Sequence, residues 1–334
     1  MLKSILETII EKAEKSLIPL SAHLEITRQC NLRCKHCYQI KSDCRPEMPT
    51  EKILNVIDEL RNSGCLYLLI SGGEPLVRQD FLDICRKAHK SNLAIHIATN
   101  GTLINNHIVA QLSKLNIMDV SLSIYGACPE THDRITGKDS SFKQTISAIE
   151  LLKKYRLNPR LKFIMMRDNI TEYESMIKIS SQLAIPYDMD PLITPCDNGD
   201  KNPLECRLSD NELSEIYRKE YANMPAGPET NDNAGCSLGK SHCAINAYGD
   251  VYPCIQLPIS AGNIMKQSFK DIWDNSKLFQ EIRQYSNSRV DACKNCANKV
   301  YCRRCPGLAF VENGDILSAS SETCRHALIT SQSR

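Results

Sequence analysis

The sequence predicts an α/β fold: a parallel sheet covered by helices, followed by a small cysteine-rich region. Two observations carry that expectation. Between Leu24 and Leu192, short β-branched or leucine-rich runs alternate strictly with longer helical stretches, and from Cys236 onward eight cysteines fall within fewer than a hundred residues. Strict alternation of strand and helix points to parallel strands joined by crossover helices. Six such units are read, against the eight of a closed TIM barrel.

Taken in order, Met1 to Leu17 has apolar residues at helical spacing among Lys and Glu, and is read as a short amphipathic helix. Strands are expected at Leu24–Thr27, Tyr67–Ser71, Ala94–Thr99, Asp119–Ile124, Leu161–Met166 and Tyr187–Ile193. Helices are expected near Thr50–Asn62, Gln79–His89, Asn105–Leu115, Ser141–Tyr155 and Glu172–Leu183. Pro49 followed by Thr50 starts the first of these, and Ser63-Gly64 ends it. After Leu192 the Pro-, Gly- and Asn-rich run Ile193 to Pro203 reads as loop. Ser209–Tyr221 returns to helical spacing with Ser209 and Asp210 as caps, and Asn223–Gly235 reads as a linker. The expected organisation is a helix at 1–21, the barrel at 22–195, helix and linker at 196–235, and the cysteine-rich domain at 236–334.

The formal charge of +2 over 334 residues gives no electrostatic reason to propose nucleic acid or an anionic membrane as partner. No apolar run approaches the roughly 20 residues of a bilayer span, and the N-terminus lacks the apolar core of a secretory signal. A cytoplasmic protein is expected. The count of 17 cysteines is then the outlying feature: in a reducing compartment such thiols persist as metal ligands or reactive groups. Cys65 and Cys85 read as small buried hydrophobes. Cys44, Cys128, Cys196 and Cys206 lack neighbours at ligand spacing and are given no role.

The remaining eleven fall into groups. Cys30-Asn-Leu-Arg-Cys34-Lys-His-Cys37 follows the first strand, and three thiols leave one iron of a 4Fe-4S cluster open to an exogenous ligand. This spacing, with His36 just before the last cysteine, resembles the radical S-adenosylmethionine (radical SAM) superfamily. The resemblance implies a partial (β/α)6 TIM-type barrel, which agrees with the six units, and a cluster on Cys30, Cys34 and Cys37 whose open iron binds SAM. It also implies cofactor contacts at the carboxyl ends of the next strands, where parallel α/β folds place their sites. Gly72-Gly73-Glu74-Pro75 looks like the family's loop for the SAM amino group, with Glu74 offering a carboxylate. Asn100 ends strand three beside the cofactor. Ser121 and Ser123 share one face of strand four, and Ser123 is expected at the ribose or carboxylate end. Arg134 is expected to pair with the SAM carboxylate, and Asn169 to touch SAM.

Read alone, the C-terminal cysteines admit two zinc sites or two iron-sulfur clusters alike. Tyr248-Gly249-Asp250 supplies a hairpin turn that brings Cys254 back towards Cys236. With the upstream triad, the region resembles the SPASM extension of radical SAM enzymes. The resemblance implies auxiliary 4Fe-4S clusters on Cys236, Cys243, Cys254 and Cys305, and on Cys293, Cys296, Cys302 and Cys324. Cys243 is not a fixed part of that pattern; without it the first auxiliary cluster would have an open iron. Cys302 and Cys305 are separated by two residues where three are usual.

Three clusters and SAM imply reductive cleavage to a 5′-deoxyadenosyl radical, since such clusters reach potentials as low as about −700 mV. An electron donor such as flavodoxin or ferredoxin is implied. Within this branch, the leading expectation is modification of a ribosomally made peptide or protein, by a thioether or C–C crosslink or a related oxidation. Tetrapyrrole modification in haem synthesis is the alternative enzyme, and a zinc-ribbon binding protein the alternative from another class. A formylglycine maturase is disfavoured because Ile255 stands where such enzymes place Asp. About 20 residues precede the first strand, too few for a leader-binding core, so a separate leader-binding protein, or none, is expected.

Overall fold

The computed structural model describes residues 4–39, 45–221, 236–285 and 289–333. The expected linker 223–235 and Cys44 lie outside them. Helix α1 (Ile5–Lys15) opens with a capping box, Ser4 Oγ accepting from Glu7 N while Glu7 accepts from Ser4 N. Six strand-helix units follow: β1 (Ser21–Glu25) and α2 (Thr50–Asn62), β2 (Tyr67–Ser71) and α3 (Phe81–Lys90), β3 (Ala94–Thr99) and α4 (Asn106–Leu112), then β4 (Ile117–Ile124) with α5 (Pro129–Thr136) and α6 (Ser141–Lys154). The series ends with β5 (Pro159–Ile164), α7 (Tyr173–Leu183), β6 (Tyr187–Asp190) and α8 (Asp210–Tyr221). Neighbouring strands from β1 to β6 pair parallel and in chain order, which is the expected partial barrel.

The sheet does not stop at β1. Strand β7 (His242–Ile245) pairs parallel with β1, and β8 (Asp250–Tyr252) and β9 (Gly262–Asn263) add antiparallel to give a nine-stranded sheet. Helices α9 (Phe269–Asn275), α10 (Lys277–Arg283), α11 (Pro306–Asn313) and α12 (Ser321–Ser333) complete the described chain. Cys243, Ile245, Val251, Phe269, Trp273 and Phe279 belong to the same buried cluster as the barrel's Leu24, Ile70 and Ile97. Trp273 Nε1 also donates to Leu17 O at 2.6 Å. The expected boundary at residue 236 is therefore a change in topology within a shared apolar core.

Strands β3 to β5 alternate. In β4, Val120, Leu122 and Ile124 are buried while Asp119, Ser121 and Ser123 are half-buried; β5 buries Leu161 and Phe163 and leaves Arg160 and Lys162 partly open. The buried set packs under the helices. The other set lines the concave side with polar groups that pair across strands: His96 with Asp119 at 3.0 Å, Arg160 with Asp188 at 3.0 Å and Lys162 with Asp190 at 3.2 Å. A closed eight-stranded barrel fills that side with branched apolar residues; here it is a polar trough.

Two departures from expectation concern local signals. Residues 132–137, where the sequence predicts no element, belong mostly to α5, whose Pro129 occupies the first turn and whose Gly137, at φ 67°, closes the C-terminus. Strand β1 begins three residues earlier than read and ends at Glu25. The core's demand for large side chains gives a direct test. Phe163 is 1% exposed and stacks on Tyr187 at 5.2 Å, so Phe163→Ala is expected to cost about 3–5 kcal/mol in urea unfolding.

Candidate active site

The loop carrying Cys30, Cys34 and Cys37 leaves β1 and is gripped from two sides. From the β2–α3 turn, Gly73 N donates to Thr27 O at 2.9 Å and Glu74 N to Gln29 O at 2.8 Å; from the other side, Arg33 N reaches Thr136 O at 2.8 Å and Lys35 N reaches Ile135 O at 3.1 Å. The two glycines make the first grip possible. A Cβ on Gly72 would lie 2.2 Å from Thr27 O, and one on Gly73 2.3 Å from Gln29 O. Only glycine lets two backbones approach this closely.

The three thiols open into a cavity of about 840 Å³ that is also lined by His36, Gly72, Gly73, Asn100, Ser123 and Tyr125. Asn100 sits beside the triad: its Nδ2 donates to Asn31 Oδ1 at 2.9 Å and lies 4.0 Å from Cys30 Sγ. His36 meets Tyr125 edge-on at 4.6 Å, and burial lowers its pKa to about 4, so the ring is neutral, with Nδ1 unpartnered. Burial also raises the Cys30 thiol pKa, and Cys37 is among the groups adding to it.

Five expected cofactor contacts do not face this cavity. The Glu74 carboxylate is fully buried and accepts from Thr99 Oγ1 and Asn100 N, each at 2.7 Å, and from Leu76 N at 3.1 Å. Its role is to tie the end of β3 to the glycine turn. Burial pushes its pKa up to about 7 against those three hydrogen bonds. Pro75 is buried at the start of the short 3₁₀ turn that follows. Ser121 lies on the Ser123 face, one alternate step further back along β4 and outside the cavity lining. Arg134, on α5, pairs with Asp168. Asn169 is buried and braces the site from behind, accepting from Met166 N at 2.8 Å and donating to Tyr125 O at 3.0 Å and Ile164 O at 2.9 Å.

The far half of the cavity is built from residues that sequence reasoning missed, among them His23, Arg28, Tyr38, Glu47, Ser71 and Tyr248. Arg28 pairs with Asp197 at 2.7 Å and Glu25 at 3.5 Å. Burial alone would lower its pKa, but these carboxylates hold it above the ordinary value. Tyr38 OH also donates to Glu25, at 3.0 Å. His23, its pKa lowered to about 4 by burial and then by Arg28, hydrogen-bonds Ser71. The available signal was the period-two polar set Ser21, His23, Glu25, which a strand read from Leu24 conceals. Tyr248 comes from the β7–β8 turn, so the C-terminal region supplies part of the wall.

That region gathers its thiols into two sets. Burial raises the Cys254 pKa to about 11, with further contributions from Cys305 and Cys236; Cys305 acts likewise on Cys236. Burial raises Cys302 to about 11 too, and Cys324, Cys293 and Cys296 add to it. Thiols of the second expected set thus lie within electrostatic reach of one another, as do Cys236, Cys254 and Cys305 of the first. Cys243 is not among them. On β7 it stands opposite Ala22, and both are buried on the helix-covered side of the sheet, whereas His242 stands opposite Ser21 and bonds its Oγ at 3.0 Å. The other thiol acting on Cys243 is Cys65. Successive strand residues face opposite sides, so the expectation of Cys243 as a ligand is corrected.

Neighbouring thiols that raise one another's pKa, part of them exposed, fit a cationic centre, which deprotonates its ligands outright. Among the described residues no three Cys, His, Asp or Glu groups converge on a single-ion site. By their chemistry alone such thiols suit either an iron-sulfur cluster or tetrahedral zinc. The radical SAM superfamily model matches residues 24–178, and a model described as an iron-sulfur cluster-binding domain, SPASM, matches residues 236–297. The AdoMet-dependent heme synthase of Methanosarcina barkeri is 30% identical over 88% of this chain and 93% of its own. The chain belongs to the radical SAM superfamily. The mycofactocin maturase MftC of Mycolicibacterium smegmatis is 28% identical over 88% of this chain and 80% of its own. Streptococcus suis SuiB bound to its precursor peptide SuiA shares the fold, with TM-score 0.73 and 16% identity over 97% of this radical SAM chain and 82% of that one. The iron-sulfur description of the SPASM match removes the zinc-ribbon alternative.

The thiol sets make different demands on substitution. Cys243→Ala is expected to keep the full iron content after anaerobic reconstitution, and Cys254→Ala to lower it by about four irons per chain. Iron loss in Cys243→Ala would return that thiol to the ligand set.

Proposed function

We propose that this radical SAM enzyme modifies a ribosomally made peptide or protein, introducing a crosslink or a related oxidation. The observation that carries the reading is the shape of the site. One cavity joins the Cys30, Cys34 and Cys37 thiols to a polar half walled by Arg28, Tyr38, Glu47 and Tyr248. Such a wall offers donors and acceptors to a peptide backbone beside the position SAM would take. The MftC relative and the SuiB complex with its precursor peptide support the same class.

In this reading Cys30, Cys34 and Cys37 hold the SAM-binding cluster. Cys236, Cys254 and Cys305 hold one auxiliary cluster, and Cys293, Cys296, Cys302 and Cys324 another. When bound, the first cluster supplies the low-potential electron that cleaves SAM. The chain's own residues position and shield. Gly72 and Gly73 leave open backbone at the cavity wall, Ser123 presents a hydroxyl, and neutral His36 packs the triad against Tyr125 without adding charge. The segment after β6 covers the cysteine loop, with Asp197 N donating to Tyr38 O at 3.0 Å and Cys196 Sγ 3.6 Å from Cys37 O. That cover excludes water from a reactive site. A flavodoxin- or ferredoxin-like donor and a separate leader-binding protein complete the proposed partners.

A second reading, tetrapyrrole modification, is favoured by the Methanosarcina barkeri heme synthase, of which the alignment covers 93%. Turnover decides between them. Reconstituted enzyme with SAM and dithionite is expected to form 5′-deoxyadenosine and to change the mass of a short peptide encoded beside its gene, leaving a carboxylated tetrapyrrole unchanged. Mass loss from the tetrapyrrole and not the peptide would reverse the assignment. Replacing Cys30, Cys34 and Cys37 together by Ala is expected to abolish 5′-deoxyadenosine while about eight irons remain.

A further inference from the structure

Arg304 lies in the chain between a cysteine of each auxiliary thiol set. Cys302 belongs to the set of four and Cys305 to the set of three, and the stretch Cys302-Arg-Arg304-Cys305 is all that separates them in the chain. Arg304 is 8% exposed. Burial lowers its pKa, while Cys305, Asp315, Cys324 and Cys236 act on it in the opposite sense, so thiols of both sets are within electrostatic reach.

Its hydrogen-bond partners are neutral. One terminal nitrogen donates to Tyr285 OH, the other to Ile316 O and Ser318 O, each at 2.5 Å, and Nε is buried without a partner. The Tyr285 ring lies 5.3 Å below the charge. Among the described residues no carboxylate comes within ion-pair distance of Arg304. Arg28 has Asp197 at 2.7 Å and Arg207 has Glu322 at 2.9 Å, whereas Arg283, also without one among the described residues, lies over the Trp273 ring at 4.7 Å and donates to Gly239 O at 2.8 Å. A buried cation with only neutral partners is expensive to desolvate. Carbonyl and phenol oxygens offset part of that, and an anionic centre on each thiol set would offset the rest.

We propose that the Arg304 guanidinium is the shared counter-charge of the two auxiliary clusters and holds the reduction potentials of both upward. The inference rests on the iron-sulfur reading of the C-terminal thiols. Thiolate-ligated clusters are anionic and gain further negative charge on reduction, and their potentials follow net charge, hydrogen bonding and exposure. A fixed positive charge within reach of two such centres stabilises the reduced form of each. It also weakens the repulsion that reduction of one exerts on the other. Arg304 touches no substrate and acts through the clusters, which makes it a positioning residue.

The test uses the full chain with Cys30, Cys34 and Cys37 replaced by Ala, so that only auxiliary clusters contribute. Iron is counted, and midpoint potentials are read by EPR-monitored titration, for this background and for R304Q and R304K within it. Absence of auxiliary iron from the background itself would overturn the cluster reading and the proposal with it. With iron present, R304Q is expected to move both midpoints to more negative values, and R304K to restore them in large part, because lysine keeps the charge without the planar fork. Unchanged midpoints in loaded R304Q would show that Arg304 merely pins the turn at Ile316 and Ser318. Should R304Q lose its iron, R304K decides: a loaded R304K shows that the charge itself retains the clusters, whereas iron loss in both assigns the effect to the fork's hydrogen bonds and overturns the proposal.

Discussion

The contact on which the site depends is between two stretches of backbone. The cysteine loop lies against the β2–α3 turn with Thr27 O and Gln29 O accepting from Gly73 N and Glu74 N. Any side chain at Gly72 or Gly73 would occupy the space of those carbonyls. Glu74 extends the same contact to β3 through Thr99 and Asn100, and Asn100 passes it back to the loop through Asn31. Three consecutive strand ends are thereby locked around one set of thiols. On the other flank, Asn169 fixes Tyr125, against which His36 packs. The residues nearest the thiols are thus held by neighbours whose own polar groups are already satisfied, which is how precision is obtained on loops.

Charge imposes the second constraint. Thiols that raise one another's pKa, as in the Cys293 set, are a poor way to stabilise an empty fold. They become favourable when a cationic centre takes the thiolates. Several buried charges elsewhere are paired, Arg28 with Asp197, Arg78 with Asp80 at 2.6 Å, and Glu322 with both Arg207 and Arg325. Arg304 has neutral hydrogen-bond partners, and the proposed clusters would give its charge a counterpart.

How much of this could be read from the chain depended on whether the deciding signal was local. Strands β2 and β3 and helix α2 agree with the sequence reading at both ends, because alternation and the Pro49 and Ser63-Gly64 boundaries are local signals. The triad's place on the loop after β1 was likewise legible from its local spacing. The roles of Glu74 and Asn169 were not, since a carboxylate or amide named by position in a motif says nothing about whether its lone pairs are already taken. Arg134 fell to the same difficulty, with Asp168 arriving from a distant strand end. His23, in the far half of the cavity, was hidden by a three-residue error at the start of β1, which removed it from the strand and so from its inward face.

Cys243 shows how strictly a sheet decides such matters. It lies between Cys236 and Cys254 in the chain, and a hairpin does bring those two towards Cys305. Sequence proximity alone would count it with them. Yet β7 completes its ladder with β1, and the pairing of His242 with Ser21 turns Cys243 to the side of Ala22 and the helices. Moving the register by one residue would expose Cys243 on the polar trough and drive His242 and Ala244 into the apolar layer; a slip of this kind inverts every side chain of the strand. The burial of Ile245 together with Cys243 resists that slip. The strand that extends the sheet thus also turns Cys243 away from Cys236, Cys254 and Cys305, as a consequence of how the C-terminal region is joined to the barrel.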